Sequence, residues 1–460
     1  MIPAEFIRAL EDITGAEWVL RDEASRLKYG TDALLRGQPA DVVVVPGNTA
    51  DVAAVMRLCA RHRVPVVPRG AGTGYTGGAV PLAGGVVLSL ERFNRIVEID
   101  PDNLLAVVEP GVITADLQAA VEAHGLFYPP DPQSLKESSI GGNVAECAGG
   151  PRAFKYGVTR RYVLGLEAVL PTGEVIRTGS KAVKNVVGYD LTQLLIGSEG
   201  TLAVITQIVL RLVPKPPAAA TLRACFTDVA TAAGAVSALI RRRVVPATLE
   251  IVDRDSLEAV AAWTGERLAP ANTGALLLIE VDGSMETVLA EAREVEAACR
   301  EAGAIEVLSA RTDEEREALW RVRRELSYAL RPIAPRKINN DVVVPRGRVP
   351  ELFALVERLR SEFRLRIPAF GHAGDGNIHV NIMMNPDDPD EAARSEQAVR
   401  RLFEGVVALE GSISGEHGIG FSKAPYLGLE LSPEVIALMR RIKAAFDPDG
   451  ILNPGKIFPD

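Results

Sequence analysis

Residues 68–78 read PRGAGTGYTGG, and these five glycines in eleven positions decide the fold. Glycine lets backbone N–H groups turn outward and lets a bulky anion approach without a Cβ in the way, as in pyrophosphate-binding loops. Before the loop, residues 41–45 and 64–68 read as strands on either side of a helix over Thr49–His62. This strand–helix–strand unit leads directly into the glycine-rich loop.

The loop has two alternative interpretations. Residues 72–77 match the G-x-G-x-x-G fingerprint of a nicotinamide-binding fold, but that fingerprint must open a helix. Here Pro81 and a second pair of glycines lead into a β-type run over residues 86–90. The glycines could also form a plain turn between strands. Further glycine-rich segments, at residues 129–160 and 196–206, favour the anion-binding interpretation.

Three of the five histidines lie in the C-terminal part of the chain. Residues 370–384 read FGHAGDGNIHVNIMM, and SGEHGIG follows at 414–420. Asp-Gly between apolar runs predicts a two-residue β-hairpin loop at Asp375 and Gly376. With that loop, His379 faces His372 across the strand pair, and Asn381 points to the same side as His379.

Two neighbouring imidazoles could bind one divalent ion. Glu416 could supply a third ligand, and a His₂Glu set with open positions is typical of a catalytic Zn²⁺, Mn²⁺ or Fe²⁺ site. The alternative is that the histidines are hydrogen-bonded core residues. We expect a metal site, because the hairpin and the adjacent Glu-His pair would otherwise both be coincidental.

On its glycine-rich segments, the chain resembles the FAD-linked oxidase family, with a flavin domain of the vanillyl-alcohol-oxidase or PCMH type. Within it the chain is similar to the group of glycolate oxidase, D-lactate dehydrogenase and D-2-hydroxyglutarate dehydrogenase. The resemblance runs from about residue 41 to residue 459. It implies an α+β fold with an FAD-binding domain of two subdomains over 1–217. An antiparallel-sheet substrate (cap) domain with helices follows over 218–415, and residues 416–460 return to the FAD domain.

The resemblance implies FAD bound without a covalent bond, because Thr73 stands where covalently linked members carry histidine. The pyrophosphate would lie on the loop, and other contacts would come from the middle of the domain and the C-terminus. The expected FAD-binding residues are Arg69, Gly70, Ala71, Gly72, Thr73, Gly74, Gly77, Gly78, Asp131, Pro132, Ser134, Ser139, Gly142, Asn143, Gly150, Tyr156, Gly157, Glu199, Gly200, Ile205 and Asn453.

By the same resemblance, His372, His379 and Glu416 are the divalent-metal ligands, and His417 is the catalytic base. An imidazole beside a metal ligand can take a hydroxyl proton near neutral pH. His417 could instead be a fourth ligand or form a simple hydrogen bond with the substrate. Asn381 is expected to lie in the substrate site.

The segment EREALWRVRRELSYAL, residues 315–330, predicts a helix whose apolar residues follow the i, i+3, i+4 spacing of a buried stripe. Arg323 and Ser327 fall on the neighbouring face. The resemblance implies that Arg323 and Lys337 contact the substrate carboxylate, which a planar guanidinium matches well. Ser327 is expected beside them in the substrate site.

Composition is that of a globular enzyme, with 47% hydrophobic and 24% charged residues. A net charge of −9 without a basic patch argues against nucleic acid as a partner, and no apolar run is long enough for a membrane span. We therefore expect a cytoplasmic protein, or one held at a membrane only through another subunit. A homodimer stays open as its assembly. The four cysteines have no C-x-x-C spacing, which indicates neither a disulfide framework nor an iron–sulfur cluster.

The sequence therefore predicts a flavoenzyme that oxidises a small D-2-hydroxy acid, with glycolate or D-lactate favoured, to the 2-oxo acid. Its electrons would pass to an external acceptor, such as an iron–sulfur subunit, an electron-transfer flavoprotein or a quinone-linked carrier. Two alternatives stay open: a flavin-binding electron-transfer subunit without its own substrate oxidation, and a nicotinamide-dependent dehydrogenase. The absence of a helix pattern after the glycine-rich loop argues against the second.

Overall fold

The computed structural model describes residues 2–459, which divide into two compact bodies. The second body comprises Pro151–Tyr156 and Pro216–Gly415, and the other described residues form the first. The sequence placed divisions after residues 217 and 415. The structure divides the chain after 215 and 415 and also assigns residues 151–156 to the second body.

The first body is built from one mixed sheet, one antiparallel sheet and a short strand pair. Its strands are β1 Val19–Leu20, β2 Val42–Val44, β3 Val66–Arg69, β4 Val86–Ser89, β5 Ile96–Asp100, β6 Leu105–Val108, β7 Leu126–Phe127, β8 Val163–Val169, β9 Val175–Gly179, β10 Val204–Arg211 and β11 Val213–Pro214. The strand orders are β1-β2-β4-β3, β5-β6-β10-β8-β9 and β11-β7. Strands β2, β3 and β4 are parallel, as a strand–helix–strand unit requires.

Helices of the first body are Ala4–Thr14, Glu23–Tyr29, Thr49–His62, Thr114–Glu122, Ile140–Glu146, Leu191–Leu195, Leu427–Glu430 and Pro433–Phe446, with 3₁₀ turns at Ala16–Trp18, Thr159–Arg161 and Ala424–Tyr426. The helix predicted over Thr49–His62 is confirmed. Asn48 caps its first turn, and Val52, Val55 and Met56 are buried against the parallel strands.

The C-terminal segment, residues 416–459, lies in the first body. Leu452 bridges to Val66 in parallel, and the Val66 N–H donates to the Ile451 carbonyl at 2.8 Å. Ile451 and Leu452 are buried in the same core as β2, β3 and β4. This bridge lies at the start of β3, the strand that precedes the glycine-rich loop.

The second body is a seven-stranded antiparallel sheet backed by helices. Its strands are β12 Ala218–Phe226, β13 Thr248–Asp253, β14 Ala275–Gly283, β15 Glu306–Ser309, β16 Arg336–Val343, β17 Ala369–His372 and β18 Asn377–Met384, in the order β15-β12-β14-β13-β17-β18-β16. Its helices are Ala153–Tyr156, Val229–Arg241, Arg254–Thr264, Met285–Glu301, Asp313–Ala329, Val349–Phe363 and Pro389–Ala408, with a 3₁₀ turn at Arg346–Arg348. The predicted α+β class is confirmed.

The helix Asp313–Ala329 packs on one face of this sheet. Leu319, Val322 and Leu326 are buried with Phe370 and Leu278, so the predicted apolar stripe is confirmed. Among residues 2–459, the structure has no helix of the length and apolarity that crossing a bilayer requires.

Candidate functional site

The glycine-rich loop, residues 70–78, follows β3 in the first body and is tightly packed at both ends. Gly77 has a φ of +81°, and a Cβ added there would lie 2.0 Å from a ring atom of Phe421. A Cβ added at Gly70 would lie 2.4 Å from Ser139 Oγ. Glycine is therefore required at Gly77, whereas a side chain at Gly70 would displace the Ser139 hydroxyl.

The middle of the loop, by contrast, has space beside it. Of the residues that the structure describes, only Asp32 comes within 4 Å of a Cβ added at Gly74, with its Oδ2 at 4.0 Å. Burial raises the pKa of Asp32 to about 6, against the effect of Arg69. Arg69 Nη1 donates to the carbonyls of Tyr29 (3.1 Å) and Thr31 (2.8 Å). The loop therefore leaves open space beside Gly74.

Three predicted FAD-binding residues lie together at the turn that faces Gly70. Ser139 Oγ accepts a hydrogen bond from the Gly142 N–H at 3.3 Å, which caps the helix Ile140–Glu146. Asn143 is buried, and its side-chain amide donates to Thr114 Oγ1 at 2.7 Å. The structure therefore brings Ser139 and Gly142 against the loop, and Asn143 follows them on the same helix.

Two further segments with predicted FAD-binding residues, PPDPQS at 129–134 and AGG at 148–150, contact each other. A Cβ added at Gly150, where φ is +136°, would lie 2.4 Å from the Asp131 carbonyl oxygen. Pro132 and Ser134 continue this turn through backbone hydrogen bonds from Leu135 to Pro132 (2.8 Å) and from Glu137 to Ser134 (2.7 Å). This close approach of the Asp131 backbone explains why residue 150 is glycine.

Tyr156 belongs to the second body, unlike the other predicted FAD-binding residues. Its hydroxyl donates to Asp282 Oδ2 at 2.6 Å. Lys155 donates to the Asp282 carbonyl at 2.7 Å and pairs with its carboxylate. Asp282, which the sequence did not single out, thus anchors the helix Ala153–Tyr156 to β14. Gly157, in the first body, has a φ of +82°.

Asn453 connects the predicted C-terminal contact with the loop. Its buried amide donates to the carbonyls of Gly78 (2.9 Å) and Glu199 (2.8 Å). A Cβ added at Gly200 would lie 3.8 Å from the Asn453 amide nitrogen. Asn453, Gly78, Glu199 and Gly200 are therefore neighbours, whereas Ile205 is buried in β10 opposite Ala168.

The predicted base His417 lies on the glycine-rich loop. Its ring stacks on Tyr75, with centroids 5.3 Å apart and an interplanar angle of 28°. Thr76 Oγ1 donates to the His417 carbonyl at 3.1 Å. Glu416 Oε1 lies 3.7 Å from His417 Nε2, and Glu416 Oε2 lies 2.6 Å from a Cβ added at Gly149. His417 is therefore held by Tyr75 and Thr76, and Glu416 packs against Gly149.

Two buried carboxyl groups support the segment after His417. Glu199 accepts hydrogen bonds from the N–H groups of Ile419 (2.8 Å) and Gly420 (2.6 Å). Glu146 Oε2 lies 2.5 Å from a Cβ added at Gly418. Burial raises the pKa of both carboxyl groups. The sequence did not single out Glu146, because one acidic residue in a glycine-rich segment carries no periodic signal.

The hairpin of the second body differs from the predicted two-residue loop. Strands β17 and β18 pair His372 with Asn377 and Phe370 with His379, so the loop has four residues, 373–376. Of the predicted turn pair, only Gly376 has a positive φ, +87°, and its N–H donates to the His372 carbonyl at 3.0 Å. The predicted direct pairing of His379 with His372 is therefore wrong.

The two imidazoles are nevertheless close. Asn377 pairs with His372, and His379 lies two residues after Asn377 on β18, so both histidines point to the same face of the sheet. The ring centroids of His372 and His379 are 5.4 Å apart, and both side chains are buried. His372 Nδ1 donates to a carboxylate oxygen of Glu250, the residue opposite it on β13. Its Nε2 then carries the lone pair that a metal ligand needs. The histidine pair thus fits a divalent cation.

Arg323 is 4% exposed and projects from the helix Asp313–Ala329 onto the same face. Its Nε donates to Glu250, and its guanidinium carbon lies 5.2 Å from the Phe370 ring centroid. Burial alone would raise the pKa of Glu250, but His372 and Arg323 together lower it to about 2. Ser327 lies one turn after Arg323 and is half-buried.

Asp341 holds the other side of the histidine pair. It is opposite His379 on β16, with its Oδ1 3.7 Å from His379 Nδ1. Asn377 donates to Asp341 Oδ1 at 2.6 Å, and the Gly415 N–H donates to Oδ2 at 2.9 Å. The sequence did not single out Asp341, because its partner on β18 is distant in sequence.

Residues that pair directly across strands point to one face of a sheet. Asn381 lies opposite Asn339, and Lys337 opposite Met383. The Asn381 amide donates to the His379 carbonyl at 3.0 Å, while burial lowers the pKa of Lys337 to about 8. A polar row therefore crosses this face of the sheet, which we define as Glu250, His372, His379, Asp341, Asn381, Asn339 and Lys337.

Known families and proteins match this chain over nearly its whole length. The FAD binding domain family matches residues 40–179, and the family of FAD linked oxidases, C-terminal domain, matches residues 215–457. Glycolate oxidase subunit GlcD of Bacillus subtilis (strain 168) is 45% identical over 459 residues, which cover 100% of this chain and 97% of the relative. D-lactate dehydrogenase of Anaerostipes hadrus is 36% identical over 469 residues, or 99% and 98% of the two chains.

Solved structures share the fold at low identity. p-Cresol methylhydroxylase has a TM-score of 0.82 at 19% identity, covering 99% of this chain and 96% of the other. 4-Ethylphenol oxidase from Gulosibacter chungangensis has a TM-score of 0.80 at 22% identity, with 99% and 97% covered. These similarities confirm the PCMH-type fold, and the matching family models and relatives confirm the family resemblance. The chain belongs to the FAD-linked oxidases and is an FAD-linked oxidoreductase.

Proposed function

We propose that this oxidoreductase converts a small D-2-hydroxy acid, with glycolate or D-lactate favoured, into the 2-oxo acid. The polar row carries the proposal, because its two buried histidines and its half-buried Lys337 share one sheet face with the buried Arg323 of the helix that packs there. Relatives named as a glycolate oxidase subunit and as D-lactate dehydrogenase support this substrate class.

Each residue type suits one part of this reaction. Arg323 and Lys337 would bind the substrate carboxylate, the guanidinium through a planar pair of donors. His417 would take the hydroxyl proton. Loss of that proton and of the C2 hydrogen as hydride turns the alcohol carbon into a carbonyl. FAD, when bound, supplies the two-electron oxidant, and the glycine-rich loop with its neighbours would hold it.

We further propose that His372 and His379 bind a divalent cation. Their centroid separation of 5.4 Å, their burial and the hydrogen bond of His372 to Glu250 support this role. We also propose Glu416 as the third ligand, and this assignment rests only on the family resemblance of the sequence. A divalent cation would supply Lewis-acid chemistry toward the hydroxyl group. Zn²⁺, Mn²⁺ and Fe²⁺ suit imidazole and carboxylate donors.

The electrons would leave through an external acceptor. The four cysteines are all free thiols, and Cys59, Cys225 and Cys299 are buried in three different places along the chain. They are not arranged as cluster ligands. A partner that carries iron–sulfur centres, an electron-transfer flavoprotein or a quinone-linked carrier would meet this need, and the relative's name as a subunit supports a partner.

Anaerobic absorbance tests the proposal. The purified FAD-loaded protein is mixed with D- and L-2-hydroxy acids, with and without prior chelation. We expect bleaching of the flavin band by one D-acid and loss of bleaching after chelation. A flavin that no hydroxy acid bleaches would contradict the proposed oxidation and favour an electron-transfer subunit. Bleaching that survives complete metal removal would contradict the metal role alone.

A further inference from the structure

Glu250 occupies the β13 end of the polar row and has no role in the reaction proposed above. It lies on β13, its side chain is fully buried, and it faces His372 of β17 in direct register. The helix Asp313–Ala329 crosses above it and brings Arg323 to the same carboxylate. The buried carboxylate of Glu250 therefore contacts both His372, a proposed metal ligand, and Arg323, which is proposed to bind the substrate carboxylate.

The two oxygens of Glu250 have separate partners. Oε1 accepts from His372 Nδ1, and Oε2 accepts from Arg323 Nε. The Arg323 guanidinium is also held over Phe370, whose ring centroid lies 5.6 Å from that of His379. Because strand pairing fixes Glu250, His372 and Phe370, rotation of either partner side chain would break a buried hydrogen bond.

This arrangement determines which nitrogen of His372 carries the proton. A carboxylate only accepts hydrogen bonds, so Nδ1 must donate, and the neutral imidazole then keeps its lone pair on Nε2. Carboxylates that receive the second N–H of a ligand histidine orient the ring and strengthen its bond to the metal. The same carboxylate also restrains the guanidinium, which presents its remaining N–H groups in a fixed plane.

Resting on the proposed function, we propose that Glu250 is a positioning residue that prepares His372 for a divalent cation and Arg323 for the substrate carboxylate at the same time. Burying three ionisable groups brings little net stability compared with an apolar trio of equal volume. The consequence of this trio is orientation. Removing the carboxylate should therefore weaken cation binding and substrate binding together.

Glu250→Gln tests this inference, because a glutamine amide offers one acceptor and one donor where the carboxylate offers two acceptors. An amide N–H facing His372 Nδ1 would move the ring proton to Nε2. We expect the dissociation constant for Co²⁺ or Zn²⁺, measured against a competing chelator without substrate, to rise roughly 10–100-fold. KM should rise as well, while the visible flavin spectrum stays unchanged.

Glu280→Gln is the matched control. Glu280 lies on the neighbouring strand β14 and accepts from Trp320 Nε1 at 3.2 Å and Thr221 Oγ1 at 2.7 Å. It thus anchors the same helix to the same face without contacting His372 or Arg323. We expect wild-type cation affinity and KM in this variant. Equal losses in both variants would show a general structural effect and overturn the inference.

Unchanged cation affinity and KM in folded Glu250→Gln would also overturn it. If this variant does not fold, ¹⁵N resonances of the His372 ring in the metal-free wild type decide the matter, assigned by their loss in His372→Gln. In the neutral ring, a proton on Nδ1 supports the inference, and a proton on Nε2 overturns it. A wild-type protein that binds no divalent cation would overturn the proposed metal role and this inference with it, before any variant is compared.

Discussion

Lys337 ends the polar row, where burial lowers the pKa of its ammonium group to about 8. If the cation binds the substrate carboxylate, we expect KM to rise above pH 8, by up to about tenfold per pH unit, because Lys337 loses its proton there. Initial rates from pH 6.5 to 9.5 measure this. In Lys337→Arg the guanidinium stays charged, so the rise above pH 8 should disappear.

The folded protein should become more stable over the pH range in which substrate binding weakens. Between pH 8 and the ordinary lysine value of 10.5, the unfolded chain holds a proton that the folded protein lacks at Lys337. The contribution of this group to the free energy of unfolding therefore increases with pH in that window. A rise in KM accompanied by loss of folded protein would contradict this explanation.

His379 carries a second prediction at this scale. His379→Ala should lower kcat at least about 10²-fold, on the order of the loss expected when metal-assisted catalysis is removed, with FAD still bound. Activity, metal content and the flavin spectrum of the purified variant measure the three effects. His124→Ala, at an exposed histidine after the helix Thr114–Glu122, is the control. Full activity in His379→Ala would contradict the metal mechanism.

At the scale of elements, the glycine-rich loop allows two glycines to be compared. Gly77→Ala meets Phe421 and requires a positive φ, so we expect a less stable apoprotein that binds FAD poorly. Gly74→Ala has space beside it, so the apoprotein should keep its stability. If FAD occupies that space, the FAD affinity of Gly74→Ala should fall by tenfold or more, on the order of 1.4 kcal/mol. Thermal unfolding and FAD titration separate the two effects.

Wild-type FAD affinity in Gly74→Ala would contradict the placement of the dinucleotide at this loop. The same result in Gly77→Ala would contradict the steric argument for its glycine.

Asp253 joins elements of the second body. One carboxylate oxygen caps the helix Arg254–Thr264 through the Ser256 N–H (2.9 Å), and the other accepts from the Ala369 N–H of β17 (2.8 Å) and from Arg360. Asp253→Ala should cost about 3–5 kcal/mol, because it breaks a buried ion pair and leaves donors unpaired. Urea unfolding followed by near-UV circular dichroism measures the loss.

Asp228→Ala is the control for Asp253. Asp228 caps the helix Val229–Arg241 through the Thr231 N–H at 2.8 Å, but this contact is exposed. We expect a loss of about 1 kcal/mol. A similar loss in both variants would contradict the role assigned to the buried network around Asp253.

For the whole molecule, the number of electrons that it accepts can be predicted. All four cysteines are free thiols, and burial raises the pKa of Cys59 and Cys299 to about 12. These thiols stay protonated near neutral pH and are poor metal or cluster ligands. Anaerobic titration with the reactive hydroxy acid should therefore end at one two-electron equivalent per bound FAD. Consumption of further equivalents would reveal a second redox centre and contradict this prediction.

Patterns within one segment were sufficient to predict much of the molecule. The spacing of Val52, Val55 and Met56 indicated the helix Thr49–His62, and glycine density identified a loop where Gly77 has a positive φ. These features depend on backbone conformation over a few residues, and sequence records them directly. The family resemblance depended on the same local segments.

Contacts between distant segments needed the tertiary structure. Glu250 faces His372 across 122 residues, and neither strand carries a signal that selects its partner. The four-residue hairpin loop likewise depends on how β18 pairs with both β17 and β16, which an Asp-Gly pair does not specify. The sequence by itself determined the family and four groups of the polar row, namely His372, His379, Asn381 and Lys337. Only the tertiary structure decided which of those groups touch, because cross-strand neighbours are set by long-range pairing.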